Sequence, residues 1–267
     1  MEITIEQLAS EFLEMSSGQR LALIDNIDKE KSTLSNLARR LDATAAEVHR
    51  NLGRLEKGGL IKKDPDGTYE LTLYGKTMYA QIPTLKFMVK NKKYFEIHDF
   101  DGLSLKYIQR IGALAESELI SGYVKVMEKW ENIYKNSNEY IYNILIDIPY
   151  NKEILDTLQS KLNNKVHVLS IFSETAAVPD ERQELLNKYD FSKFIKDETL
   201  KKRMIKEQRI ALVLNEKEAG ISFPIKNEPD MSKMFYSLND SFHEWCKDFF
   251  IDVWNTASSF QETKLHH

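Results

Sequence analysis

A single cysteine, Cys246, is the whole thiol complement of the 267 residues. It allows no intrachain disulfide and no cysteine metal cluster, so the chain suits a reducing compartment and a cytoplasmic setting is expected. Apolar runs are short as well. None approaches the roughly 18 residues that span a bilayer, and 1–28 carries regularly spaced acids where a basic start and an apolar stretch would mark a secretory leader. Neither a membrane span nor a leader is expected. Catalytic signatures are equally scarce: GxGxxG, GxxxxGK[ST], GxSxG, HExxH and HxKxxxxD are all absent. Lys264-Leu265-His266-His267 reads as a vector-derived scar opening a histidine tag. With it set aside, the histidines are His49, His98, His167 and His243, and none pairs with another at i, i+4. No catalytic residue, metal site or cofactor is expected.

What remains is an ordinary globular balance, 42% hydrophobic and 29% charged, which argues against disordered, collagenous or low-complexity chains. The length suits two domains of about 100 to 150 residues each. Net charge is −4, from 37 bases and 41 acids, so the surface as a whole makes no electrostatic case for nucleic acid. The distribution does. Between Lys31 and Lys63 stand Lys31, Arg39, Arg40, Arg50, Arg54, Lys57, Lys62 and Lys63 against only Asp42, Glu47 and Glu56. A basic island in an acidic chain suits a phosphate-binding face, or an ordinary solvated one.

Around that island the pattern is helix, turn, helix, hairpin. Thr4 to Met15 reads as a helix, and a second, with Leu21, Leu23, Ile24 and Ile27, follows Ser16-Ser17-Gly18. A short helix with Ser35 as N-cap turns Leu37, Ala38 and Leu41 inward. The third helix of the motif begins with the capping box Thr44-Ala45-Ala46-Glu47 and stops at Gly58-Gly59. Leu60-Ile61-Lys62-Lys63 and Thr68-Tyr69-Glu70-Leu71-Thr72-Leu73 flank Asp64-Pro65-Asp66-Gly67, which makes a hairpin. At 100° per residue, Ala45, Val48, Leu52 and Leu55 fall on the core side of the third helix, and Ala46, Arg50, Gly53, Arg54 and Lys57 fall opposite, with Glu47 and His49 on the flanks. A face of small and basic residues can enter a major groove, where Arg reads guanine bidentately. The expected DNA-binding set is Arg50, Ala46, His49 and Glu47 at bases, Arg54, Lys57, Lys62 and Lys63 at phosphates, and Ser35 and Thr44 at the two helix starts. Double-stranded DNA is the expected partner. Leu37-Ala38-Arg39-Arg40-Leu41, with Val48, Leu52, Leu55, Gly58-Gly59 and Leu60-Ile61, resembles the ArsR-like and related winged-helix regulators over about 80 residues.

The fold class expected is α/β overall: a winged helix-turn-helix over 1–80, a helical connector over 81–115, and over 116–260 an α/β domain with a mixed, partly parallel sheet flanked by helices. Ile120, Tyr123, Met127, Trp130 and Tyr134 suggest one amphipathic helix. Tyr140 to Ile146, Val166 to Phe172 and Ile210 to Leu214 are apolar runs suited to central strands; the first two, with a helix carrying Ile154, Leu155, Leu158 and Leu162 between them, form a βαβ unit. Ala219 to Ile225 should pair antiparallel with Arg209 to Leu214. Phe235, Leu238, Phe242, Trp245 and Phe249 suggest a helix from Met231 to Ala257, core-facing, a dimer seam, or both. His167 reads as a satisfied core histidine, Lys201, Lys202, Arg203 and Lys206 as a solvated helix face, and the sequon Asn239-Asp240-Ser241 as meaningless on a cytosolic helix.

Tyr94-Phe95-Glu96-Ile97-His98-Asp99-Phe100-Asp101-Gly102-Leu103, Arg110-Ile111-Gly112-Ala113-Leu114 and Trp245-Cys246-Lys247-Asp248-Phe249-Phe250 before Trp254 resemble archaeal regulators of the methanogenesis-regulatory, FilR-like kind. That resemblance implies a winged helix ahead of an α/β effector domain similar to TrmB-type sensor domains, which are distantly phospholipase-D-like. His98, Asp99 and Arg110 lie on its motifs and are the candidate ligand-binding residues, at a crevice beyond the strand ends. The function expected is a sequence-specific DNA-binding transcriptional regulator, not an enzyme, with a C-terminal domain for dimerisation, for sensing a small-molecule effector, or for both; a homodimer is expected. Its dimer seams are expected at the helix before Ser16 and the aromatic C-terminal helix. The alternatives are a phospholipase-D-like enzyme tethered to DNA, disfavoured by the missing HxKxxxxD, and an architectural DNA-binding protein, disfavoured by the acidic charge and the large second domain.

Overall fold

In the computed structural model the described residues are 3–147, 152–177, 184, 188–226 and 228–265. They form two compact units, Met1–Ile82 and Pro83–His267.

The first unit runs α1 (Ile5–Met15), α2 (Gly18–Lys29), β1 (Ser32–Thr33), α3 (Leu34–Arg40), α4 (Ala45–Lys57), β2 (Ile61–Lys63), β3 (Thr68–Leu71) and α5 (Leu73–Tyr79). This is the element order of a winged helix-turn-helix with an added N-terminal helix. Each helix starts where a hydroxyl meets an orphan backbone N–H: Thr4 accepts from Gln7 and Ser17 from Arg20. Thr33, not Ser35, caps α3, because Thr33 is the extended residue whose hydroxyl accepts the Asn36 N–H; Ser35 is already the second residue of the helix and is exposed. Gly59, at φ 69°, makes the left-handed turn that sends the chain from α4 into the hairpin. β1, not foreseen, adds to the outer side of β3, giving the order β1-β3-β2. Leu37, Leu52 and Leu55 are at most 1% exposed in the core that also takes Leu23, Ile24, Val48 and Ile61. Each such side chain contributes about 1.5–3 kcal/mol by burial.

The second unit carries α6 (Ile82–Lys90), α7 (Lys92–Phe95), α8 (Leu105–Gln109), β4 (Glu118–Ser121), α9 (Tyr123–Asn136), β5 (Tyr140–Asp147), α10 (Lys152–Asn163) and β6 (His167–Ala177). It continues with α11 (Ser192–Lys196), β7 (Leu200–Ile205), β8 (Ala211–Leu214), β9 (Ala219–Ser222), β10 (Lys233–Ser237), α12 (Asp240–Thr256) and β11 (Ser258–Ser259). The sheet order is β11-β7-β6-β5-β8-β9-β10-β4. β5, β6 and β7 are parallel, and the remaining pairs are antiparallel. Side chains alternate between two cores: Ile141, Val168 and Val213 face the layer of α9, α10 and α11, whereas Ile144, Ile171 and Leu212 face α12 and the segment from Phe87 to Leu114. The segment 81–115, expected as a connector, thus supplies Phe87, Tyr94, Tyr107, Ile111 and Leu114 to the second core.

Several expectations are corrected. Ile120 belongs to β4; Gly122, at φ 106°, breaks the chain before α9, so the three-and-four spacing ran across a strand-to-helix turn. Phe235 lies in β10, paired to β9 and β4, and α12 starts only after Asn239, whose carboxamide accepts from Ser241 and Phe242. Leu238 between them is 65% exposed. Phe242, Trp245, Phe249 and Phe250 are all buried in their own unit, which removes α12's aromatic stripe as a dimer seam. His167 opens β6 and is exposed, not a core residue. Lys201, Lys202 and Arg203 stand on a strand, not a helix face. Ala45, the first residue of α4, is exposed, and Asn51 takes the fourth core position. Leu265 is 5% exposed within a core cluster, so this tag-like residue is packed, and the exposed Lys264 pairs with Glu174 at 2.8 Å; His266 and His267 lie outside the described residues.

Candidate nucleic-acid interface

The face of α4 away from the core is set by the capping box and by the 48-51-52-55 stripe. Val48, Leu52 and Leu55 sink into the core, and Asn51 is held by its side-chain N–H donating to Gln19 Oε1 at 2.8 Å. Ala46, His49, Arg50, Gly53, Arg54 and Lys57 are thereby turned outward, and all are exposed. Thr44 stays at the N-cap, its hydroxyl and backbone N–H both donating to Glu47 Oε2. These bonds hold the Glu47 carboxyl below its ordinary range, so Glu47 is engaged in the cap rather than offered to a base.

The cations divide into two groups. Arg54 grips Glu14 with two guanidinium nitrogens, at 2.6 and 3.2 Å, and this contact pulls the Glu14 carboxyl down. Lys62 pairs with Glu70 at 2.5 Å and Lys31 pairs with both Glu70 and Asp64. Between two lysines, the Glu70 carboxyl is pulled down to about 2. Arg40 pairs with Glu30 at 2.6 Å. Arg50, Lys57 and Lys63, by contrast, make no ion pair among the described residues, although Arg50 is near enough to Glu47 to help lower its carboxyl and Lys63 lies 5.7 Å from the Tyr69 ring centroid. His49 makes no side-chain hydrogen bond there either. Gly53 sits between these groups on the same face, and a Cβ added to it would meet nothing within 4 Å. The fold therefore does not require glycine at that position.

The second set of expected residues is arranged differently. His98 is buried, its ring stacked on Tyr94 at 3.6 Å, with Nδ1 at 2.9 Å from the Tyr94 carbonyl and Nε2 at 2.9 Å from Asp230. Despite burial, which alone would raise it, the Asp230 carboxyl is held low by His98 and by the Ser232 hydroxyl and N–H. Asp99 accepts the Asp101 N–H at 2.9 Å. Arg110 pairs with Asp248 on α12 at 2.8 Å. His98, Asp99 and Arg110 thus each bind a different partner and do not converge. Asp101, which the sequence did not single out, pairs with Arg209 near the carboxyl ends of the parallel strands.

Residues 9–92 match the family model described as the HVO_A0261 N-terminal domain. No curated protein matches the chain. Among solved structures, TrmBL2, titled an archaeal chromatin protein with a novel mode of DNA binding, is 12% identical with a TM-score of 0.41, over 96% of this chain and 100% of that one. NucT from Helicobacter pylori is 10% identical with a TM-score of 0.41, over 54% of this chain and 99% of its own. The phospholipase D family member Nuc from Salmonella typhimurium is 11% identical with a TM-score of 0.40, over 55% and 100%. Likenesses this distant carry no activity across.

Arg20 escaped the sequence reading. It is 8% exposed and donates to the carbonyls of Leu13 and Glu14 at 2.7 and 2.6 Å, tying the C-terminal end of α1 to α2. With that end fixed, α1 leaves Ile5, Leu8, Phe12 and Leu13 between 43% and 76% exposed. Asn51 had a visible signal, since it continues the three-and-four stripe of Val48, Leu52 and Leu55; Asp230 had none, and Asp248 only its place in the Trp245 to Phe250 segment.

Proposed function

We propose that the chain is a sequence-specific DNA-binding transcriptional regulator of the cytoplasm, not an enzyme, whose first unit reads duplex DNA and whose second unit senses a small ligand. The observation that carries this is the outer face of α4, where Arg50, His49 and Lys57 stand exposed without a direct ion pair around two small residues, Ala46 and Gly53. Arg50, with His49 and Ala46, reads base edges; Lys57 and, from the hairpin, Lys63 hold phosphates. Glu47, Arg54 and Lys62 are engaged internally and serve mainly to hold the element that carries the others. The ArsR-like character of the reading head and the FilR-like character of the second unit belong to the same proposal.

A homodimer completes it. One reading head covers too little duplex for high specificity, and two can engage half-sites about 34 Å apart. The exposed apolar ridge Ile5, Leu8 and Phe12 on α1 is the seam this reading uses. The test is selection of duplexes from a random library by the full chain. Recovery of one motif with two-fold symmetry supports the reading. Length-dependent binding without a motif overturns it in favour of an architectural protein, and cleavage of the duplex overturns it in favour of a tethered enzyme.

A further inference from the structure

The first unit holds a cleft of about 170 Å³ between the first turns of α2, the turn that joins α3 to α4, and the inner face of α4. Its walls are mainly apolar: Ala22, Leu23, Leu41, Ala43 and Val48. Two of the five are alanines, whose short side chains leave the space open. Among the described residues no charged side chain lines it. Gln19 and Asn51 line it as well and join α2 to α4, the Asn51 carboxamide donating to Gln19 Oε1 at 2.8 Å. That single bond leaves an acceptor, Asn51 Oδ1, and a donor, Gln19 Nε2, without partners among the described residues. Asn51 is 7% exposed and is the one polar member of the stripe Val48, Asn51, Leu52 and Leu55. A leucine would continue that stripe, whereas a buried amide with bonds left unmade costs stability, so the amide calls for a reason.

We propose that this cleft binds a small uncharged molecule with a ring-sized apolar body and one hydroxyl group, of the phenol class. Volume sets the size: sites for drug-sized ligands start at about 300 Å³, whereas an apolar cavity of about 150 Å³ takes a benzene ring. The lining sets the charge. With neither cation nor carboxylate at the cleft, an ionised ligand would give up its water and gain no counter-ion. The amide pair sets the hydroxyl, which donates to Asn51 Oδ1 and accepts from Gln19 Nε2, the two bonds that the fold leaves unmade. Val48 and Asn51 lie on the helix whose outer face carries Arg50, so a bound molecule touches α4 directly. The site belongs to the first unit; it goes beyond the sensing role given above to the second unit and does not rest on it.

Titration of the isotope-labelled full chain without DNA, followed by its amide resonances, tests the site with phenol, toluene and benzoate as probes. Phenol should shift the signals of residues 18–23, 41–43 and 48–51 saturably, and benzoate should not saturate. Ala22→Leu fills the cleft with a good helix former and should abolish the phenol shifts. Asn51→Val should lower the ratio of phenol to toluene affinity about tenfold, the size of one buried hydrogen bond. Gln19 is exposed, so Gln19→Leu keeps the fold even if the Asn51 variant does not, and it should lower the same ratio several-fold. Absence of saturation by phenol, shifts confined to the second unit, or benzoate bound as tightly as phenol overturns the proposal. So does unchanged phenol binding in Ala22→Leu, or an unchanged ratio in the position 19 and 51 variants. None of these results bears on duplex selection, so the two readings fail separately.

Discussion

Two segments of this chain carry the same chemistry and use it in opposite ways. Helix α4 presents a histidine, an arginine and an acid in His49, Arg50 and Glu47, and the segment from His98 to Arg110 presents His98, Arg110 and Asp99. On α4 the acid turns back into its own helix cap, and the histidine and arginine are left facing water. In the second segment the histidine finds Asp230, 132 residues away, and the arginine finds Asp248, 138 residues away. A polar side chain is available to a ligand only when the fold has not supplied a partner, and that partner is often remote in sequence.

The contrast is sharpest at His98. His98→Ala removes a buried partner and leaves Asp230 without its counterpart, which should destabilise the second unit by about 3 kcal/mol. Chemical denaturation of wild type and variant measures it. A variant as stable as wild type would place His98 among available groups and erase the distinction from α4.

Gly53→Ala gives a smaller effect with two signs. Free space around Gly53 means the added methyl strains nothing, so the first unit should gain about 1 kcal/mol from helix propensity. On the proposed reading operator affinity should fall, because the methyl would stand on the face assigned to the duplex. Denaturation and anisotropy titration separate the two. If stability rises and affinity is unchanged, glycine is merely tolerated there.

The smallest effect expected is in acid. Glu70 has its carboxyl lowered to about 2 from an ordinary 4.5 by Lys31 and Lys62. A lowered folded-state value means that its stabilising contribution is complete above 4.5 and is lost as pH falls from there toward 2. Glu70→Gln should therefore flatten the fall in melting temperature over that window and change little at neutral pH. A wild-type fall as shallow as the variant's would show that the hairpin's ion pairs contribute nothing.

Local signals were legible in the sequence and remote ones were not. The Thr44–Glu47 box, the Asp64–Gly67 turn and the βαβ unit rest on contacts a few residues apart or on long apolar runs, and all three stand in the structure. Phe235 was misread as helical because its spacing to Phe242 and Trp245 fits a helix, although a cap at Asn239 lies between. Ile120 failed in the same way across Gly122. His167 looked buried because its run is apolar, yet as the first residue of β6 it lies at the rim. At the candidate interface the exposed face of α4 was legible from periodicity. The withdrawal of Arg54 to Glu14, 40 residues away, was not.

The most direct test is a titration of a selected duplex with wild type, Arg50→Ala and Lys63→Ala at several salt concentrations, alongside their melting temperatures. Arg50→Ala should lose about 1–3 kcal/mol on the selected sequence and blur its preference, and Lys63→Ala should weaken all duplexes alike and reduce the salt slope by about one. Both variants should melt close to wild type, since both residues are exposed and neither makes a direct ion pair among the described residues. Retention of the full preference and affinity by Arg50→Ala would contradict α4 as the reading element.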